Sequence, residues 1–208
     1  WTNINQSYDK QGTIEFWWKP DRDYDEGNSA PDETFVSGIW DSPRPWPFQL
    51  LYRWREHNGV GGFNLNLMKQ DQTGCSLRTG KVAPFNADEW IHVAFTWNTN
   101  GLPNDPSAWY GTFIDGAYYP LTNATAPGET INHPMAVEST ARFAMGYYDA
   151  DSYDQCNGTL DNVKIWDYAR TNFNDRVKEA PQTTDLSDSL ICHYTFDSDD
   201  GTNVWDES

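Results

Sequence analysis

Asp88-Glu-Trp-Ile-His-Val-Ala-Phe-Thr-Trp-Asn98, followed after a loop by Trp109-Tyr-Gly-Thr-Phe-Ile-Asp-Gly-Ala-Tyr-Tyr119, is the stretch whose reading decides the fold. At period two, Ile91, Val93, Phe95 and Trp97 share one face, and Trp90, His92, Ala94 and Thr96 share the other. Both faces can be covered, so the run reads as a central strand of a packed sheet rather than an edge. The chain returns through Trp109 to Ile114 and turns at Asp115-Gly116. Asp-Gly between apolar runs predicts a hairpin, because a type I′ turn needs two residues tolerant of positive φ. A strand feeding a hairpin with no helix between them points to an antiparallel all-β sandwich.

Moving outward, residues 12–20 alternate: Ile14, Phe16 and Trp18 are expected to face inward, and Glu15, Trp17 and Lys19 outward. Pro20 ends this strand because it has no amide to donate to a ladder. Residues 21–32 form an acidic loop that reads as a solvated turn. Further strands are expected over 34–40, 49–55, 63–68, 76–82, 141–146 and 158–168. Residues 171–178 predict one short helix, with Thr171 as N-cap and Arg176 and Lys178 near its end. Residues 179–189 read as a polar linker, and 190–196 as a last strand with Leu190, Cys192, Tyr194 and Phe196 on one face.

Composition bounds the function. The 208 residues suffice for one β-sandwich with a substantial core. A formal net charge of −17 argues against nucleic acid and anionic membrane surfaces, which need Lys and Arg to neutralise phosphate. No apolar run is long enough to insert in a membrane, and the N-terminus is not signal-like, so the chain reads as a soluble piece of something longer. Eleven tryptophans exceed what core strands need, so those outside the core rows are candidates for a binding surface. Trp46 stands in a loop stiffened by three prolines; Tyr147, Tyr148 and Tyr153 stand in an acidic loop. Aromatic faces stack on sugar rings, with Asp, Asn and Arg nearby to bond hydroxyls. Covering the core beneath the loops is the competing role for each ring.

Three pieces, in order, resemble the laminin-G-like jelly roll of the concanavalin-A-like lectin/glucanase superfamily. They are Gly12-Thr-Ile-Glu-Phe-Trp-Trp-Lys-Pro20, Trp90-Ile-His-Val-Ala-Phe-Thr-Trp-Asn98 with Ile114-Asp-Gly116, and Asn157-Gly-Thr-Leu-Asp-Asn-Val-Lys-Ile-Trp-Asp-Tyr-Ala-Arg170. The resemblance implies two antiparallel sheets packed face to face, and a secreted or surface binding module, often with calcium at its rim. It divides the chain into a jelly-roll domain over 1–178, a linker over 179–189, and a C-terminal strand over 190–208 completing a sandwich. That tail carries the family's opening pattern, so it completes its own sandwich as a permuted strand, begins another domain, or completes a neighbour's sandwich. The favoured expectation is that it packs on its own sandwich and brings Asp206 towards Asp161.

Site expectations follow. Asp161 sits two places before Val163 in an apparent apolar row, where a carboxylate needs hydrogen bonds or a cation. The resemblance makes Asp161 and Asp206 calcium ligands; capping of turn amides by Asp161 is the equal alternative. No paired carboxylates of glycosidase spacing occur, and Trp90-Ile-His92 lacks the glutamine of a lyase triplet, so His92 is expected to be a hydrogen-bonded sheet histidine and the chain not an enzyme. Cys192 is expected as a buried thiol, and Cys75 and Cys156 as a disulfide in an extracellular setting. The function expected is an extracellular or cell-surface module that binds a glycan or a surface protein. The alternative is a structural subunit of a filament, self-assembling through the C-terminal strand, or a spacer domain.

Overall fold

The structure, a computed structural model, describes residues 10–24, 33–39, 48–53, 62–68, 74–80, 82, 85–123, 132, 142–146, 156–178 and 190–194. Its strands are β1 (Gln11–Lys19), β2 (Glu33–Ile39), β3 (Phe48–Arg53), β4 (Gly62–Met68), β5 (Gly74–Arg78), β6 (Ile91–Asn98), β7 (Tyr110–Ile114), β8 (Ala117–Pro120), β9 (Thr122–Asn123), β10 (Arg142–Met145), β11 (Thr159–Trp166) and β12 (Leu190–Tyr194). They form two antiparallel six-stranded sheets, ordered β12-β11-β1-β6-β7-β8 and β10-β2-β3-β4-β5-β9. This is the expected two-sheet jelly-roll sandwich.

The opening stretch behaves as its alternation predicts. β6 is buried along both faces from Ile91 to Trp97 and pairs with β1 on one side and β7 on the other. The β7–β8 hairpin turns at Asp115 (φ 49°) and Gly116 (φ 80°), the two positive values a type I′ turn requires. Asp115 tightens it by accepting the His92 amide at 3.0 Å.

Between the sheets lies one core containing Ile14, Phe16, Trp18, Leu65, Val93, Phe95 and Val163, with Ile165 packed against it at partial burial. Its aromatic centre couples the layers. Phe35 of the second sheet meets Phe16 at 5.3 Å and Trp18 at 4.9 Å, and stacks on Phe63 at 5.8 Å.

Three local expectations are corrected. The predicted helix is a 3-10 turn over Asn174–Lys178. Asn172, rather than Thr171, caps it by accepting the Asn174 amide at 3.0 Å. The single-face row of the last strand is interrupted. β12 pairs antiparallel with β11 of the same chain, with a register shift between the Ile165–Cys192 and Trp166–Leu190 pairs that breaks the strict alternation on which the row depends. Phe196 lies outside the described residues.

The third correction concerns the cysteines. All three are recorded as thiols, and Cys192 is buried as expected. Cys75 lies on β5, whereas Cys156 donates its amide to Gly146 beyond β10, near the opposite edge of the second sheet. Even from β2 to β5 there are three strand spacings, roughly 14 Å, against about 7 Å for bridged Cα atoms. A thiol count under denaturing, non-reducing conditions is therefore expected to give three; a count of one would restore the bridge.

Candidate functional site

The outer face of the first sheet carries the polar chemistry of the described chain. On β1 it presents Thr13, Glu15, Trp17 and Lys19; the neighbouring β6 places Thr96, Ala94 and His92 beside the first three. The sequence puts all of these on one face, but alternation alone leaves them exposed. Instead half of this face is sealed. After β11 the chain folds back, and Phe173 packs on Phe113 at 4.9 Å and on His92 at 5.4 Å.

Beneath that strap, Glu15 is buried rather than solvated. Its Oε1 accepts the Arg170 guanidinium and the Trp166 indole N–H, both at 2.6 Å, and its Oε2 lies 3.0 Å from His92 Nε2. Arg170 reaches on to Asp175, and its guanidinium lies over Trp166 and Phe173 at 4.8 and 5.1 Å. The Arg170 amide donates to Thr13, whose hydroxyl donates to the Tyr168 carbonyl, each at 2.8 Å. Burial pushes the Glu15 carboxyl up, but the His92 hydrogen bond and the charges of Arg170, His92 and Lys164 outweigh it and hold it below its usual value. Its contribution to stability is thus present above the ordinary glutamate range and lost as pH falls through the lower folded value. His92 is the hydrogen-bonded sheet histidine expected, paired with a buried carboxylate.

The other half of the face is partly exposed among the described residues. Trp17 is half-buried, its ring held edge-on by His92 at 5.3 Å. Lys19 lies opposite Thr159, and Asp161 opposite Trp17. Trp90 precedes the Ile91–Trp18 pair and so falls beside Lys19, whose ammonium sits 5.2 Å from its ring centroid. At 41% exposure it is the exposed large hydrophobic residue of the described chain. Sequence reading placed Trp17 outward and Trp90 in the His92 row, yet assigned neither to binding. The recoverable signal was a Trp-x-Lys on β1 meeting a Trp in the neighbouring row.

Asp161 is on this outer face, not in the Val163–Ile165 row. Between the Glu15–Lys164 and Trp17–Asp161 pairs, β1 contributes one residue and β11 two. Asn162 takes φ 48° at this bulge, which reverses the side-chain alternation. Asp161 Oδ1 accepts the Asn162 amide at 2.8 Å, the turn-capping role. As a calcium ligand it would be one of about six to eight oxygens. No three His, Cys, Asp or Glu side chains converge into a metal group among the described residues. Asp206, Trp46, Tyr147, Tyr148 and Tyr153 lie outside the described residues.

A second polar cluster closes the end of the core. Buried Glu33 accepts the Tyr24 hydroxyl, the Asn157 backbone amide and the Asn157 side-chain amide, the last at 3.1 and 3.0 Å. Gly158 follows at φ 120°, where an added Cβ would stand 2.2 Å from the Lys19 carbonyl. Asn157 is therefore committed to this clasp through both its backbone and its side chain. Burial pushes the Glu33 carboxyl above its ordinary value despite these donors. Its stabilisation is full below the unfolded value near 4.5 and is lost as pH rises through the higher folded one. Glu33→Gln keeps a neutral group there, so its melting temperature relative to wild type is expected to climb from pH 4 to pH 8. A difference independent of pH would contradict a proton on Glu33.

Comparison with known proteins agrees with the fold. The family described as Laminin_G_3, of the concanavalin A-like lectin/glucanases superfamily, matches residues 2–173. The chain belongs to this superfamily. As a member it has the jelly roll typical of non-catalytic binding modules, and no helix among its described residues is long and apolar enough to cross a membrane. No curated protein sequence matches the chain. Among solved structures it is similar to a heptameric SAP-like pentraxin from Limulus polyphemus, at 14% identity and TM-score 0.51, covering 78% of this chain and 66% of that one. It is also similar to tailspike protein 2 of an Escherichia coli O157:H7 bacteriophage, at 14% identity and TM-score 0.56, covering 92% of this chain and 25% of that one. The superfamily member thus spans a quarter of the tailspike and just under two thirds of the pentraxin. At these identities the likeness concerns fold.

Proposed function

We propose that the chain is a non-catalytic binding module of an extracellular or cell-surface protein, recognising carbohydrate in preference to protein. One observation carries this reading. The same sheet face that seals its acid–base pair, Glu15 and His92, under the Arg170 strap leaves Trp90 exposed and Trp17 half-buried beside Lys19 and Asp161. A sealed pair cannot transfer a proton to substrate, whereas aromatic faces beside hydroxyl-bonding groups suit a sugar. A rim calcium with Asp161 and Asp206 among its ligands belongs to the same proposal; its check is a melting temperature that rises with calcium and returns with chelator.

Calorimetry and glycan microarrays, run with calcium and with chelator, test the function. Binding of a polysaccharide without its cleavage is expected; shortened products would overturn the non-catalytic part. The reading as a filament subunit keeps one supporting observation, that β12 is the outermost strand of its sheet. Because β12 already pairs with β11 of its own chain, assembly through it requires strand exchange. Concentration-independent monomers in light scattering would remove that reading.

A further inference from the structure

We propose that the half of the first sheet's outer face beyond the strap, where Trp90 is exposed, is itself the recognition site, and that it takes a neutral hexose unit of a polysaccharide; this rests on the binding reading above. Trp90 and Trp17 supply the stacking surface, and Lys19 and Asp161 the hydroxyl-bonding pair. The placement follows from register. Trp17 is flanked by Asp161 on β11 and His92 on β6, and Lys19 stands two residues further along β1. Diagonal neighbours on a sheet face are about 7–8 Å apart, within reach of long side chains. A donor and an acceptor therefore border one aromatic surface, the combination a sugar ring with an apolar face and a hydroxyl rim requires.

The site is ordered before any ligand arrives. Trp17 is braced edge-on by His92, which Glu15 holds in turn. Asp161 is oriented by the Asn162 amide. Both stand on strands, and little side-chain entropy remains to be lost on binding.

Charge selects the ligand class. An anionic glycan meets a chain of net charge −17. A cationic ligand finds the Trp90 face already approached by the Lys19 ammonium at 5.2 Å. A neutral sugar encounters neither repulsion.

The test uses laminarin and galactomannan as neutral polymers and alginate and heparin as anionic ones. Wild type is compared with Trp90→Ala, Lys19→Met, Trp46→Ala and Tyr153→Ala, each first checked for an unchanged circular dichroism spectrum. Trp90 is exposed enough for its removal to leave the fold intact, and Lys19→Met keeps the stem while removing the ammonium. The expected result is binding of a neutral polymer that weakens about tenfold in Trp90→Ala and falls in Lys19→Met. Full affinity in both, with loss in Trp46→Ala or Tyr153→Ala, would move the site to the loops while leaving the binding function standing. Binding confined to alginate or heparin would overturn the neutral class. Binding to none of the four would overturn this site together with the carbohydrate reading.

Discussion

Arg170→Ala is expected to destabilise the fold by about 3–5 kcal/mol, the cost of removing the hydrogen-bonded cation of a buried carboxylate. Glu15 keeps the His92 and Trp166 contacts in that variant but loses the guanidinium at 2.6 Å. The strap also loses its anchor, since Arg170 connects β1 to Asp175, Trp166 and Phe173. Its exposed end counts for little, because the Asp175 side chain is 55% accessible and solvent screens that pair. The diagnostic companion is Glu15→Gln with Arg170→Met, which removes both charges and keeps much of the volume. Urea unfolding is expected to show the double variant more stable than Arg170→Ala. Equal losses would mean that the strap, not the ion pair, carries the energy.

Trp18→Ala is expected to cost a comparable amount, about 3–5 kcal/mol for removing a large aromatic side chain from a packed core. Trp18 is fully buried and contacts Phe35, Tyr24 and Phe85 at 4.9, 5.5 and 5.9 Å. Its indole N–H also donates to the Asn157 carbonyl at 3.2 Å, tying the core to the Glu33 clasp. Trp18→Phe retains a ring and fills much of the space, so a markedly smaller loss is expected in the same unfolding measurement. Similar losses for the two variants would place the energy in the hydrogen bond instead.

The legible and illegible parts of the chain divide by the range of the physics. Alternation in β1 and β6 and the Asp115-Gly116 turn are local, and each forms as its residues predict. The burial of Glu15 was not legible. Period two assigns it to the outer face, but only a segment 155 residues away decides that this face is covered. Asp161 was assigned to the wrong face for a different reason. One positive-φ residue, Asn162, breaks the strand's alternation, and asparagine tolerates that conformation well enough to have served as a warning. The cysteine pairing failed because two turn-like positions carry no information on how many strands separate them. Trp90 shows the converse case: its row was correct, but its exposure depends on where the strap stops.

The division of one sheet face into a sealed half and a recognition half is most directly tested by the tryptophan indole N–H resonances of 15N-labelled protein. Titration with laminarin or galactomannan is expected to shift Trp90 and Trp17 and to leave Trp166, bonded to buried Glu15, and Trp18, bonded to Asn157, in place. Shifts confined to Trp46, or movement of Trp166 in step with the ligand, would contradict it.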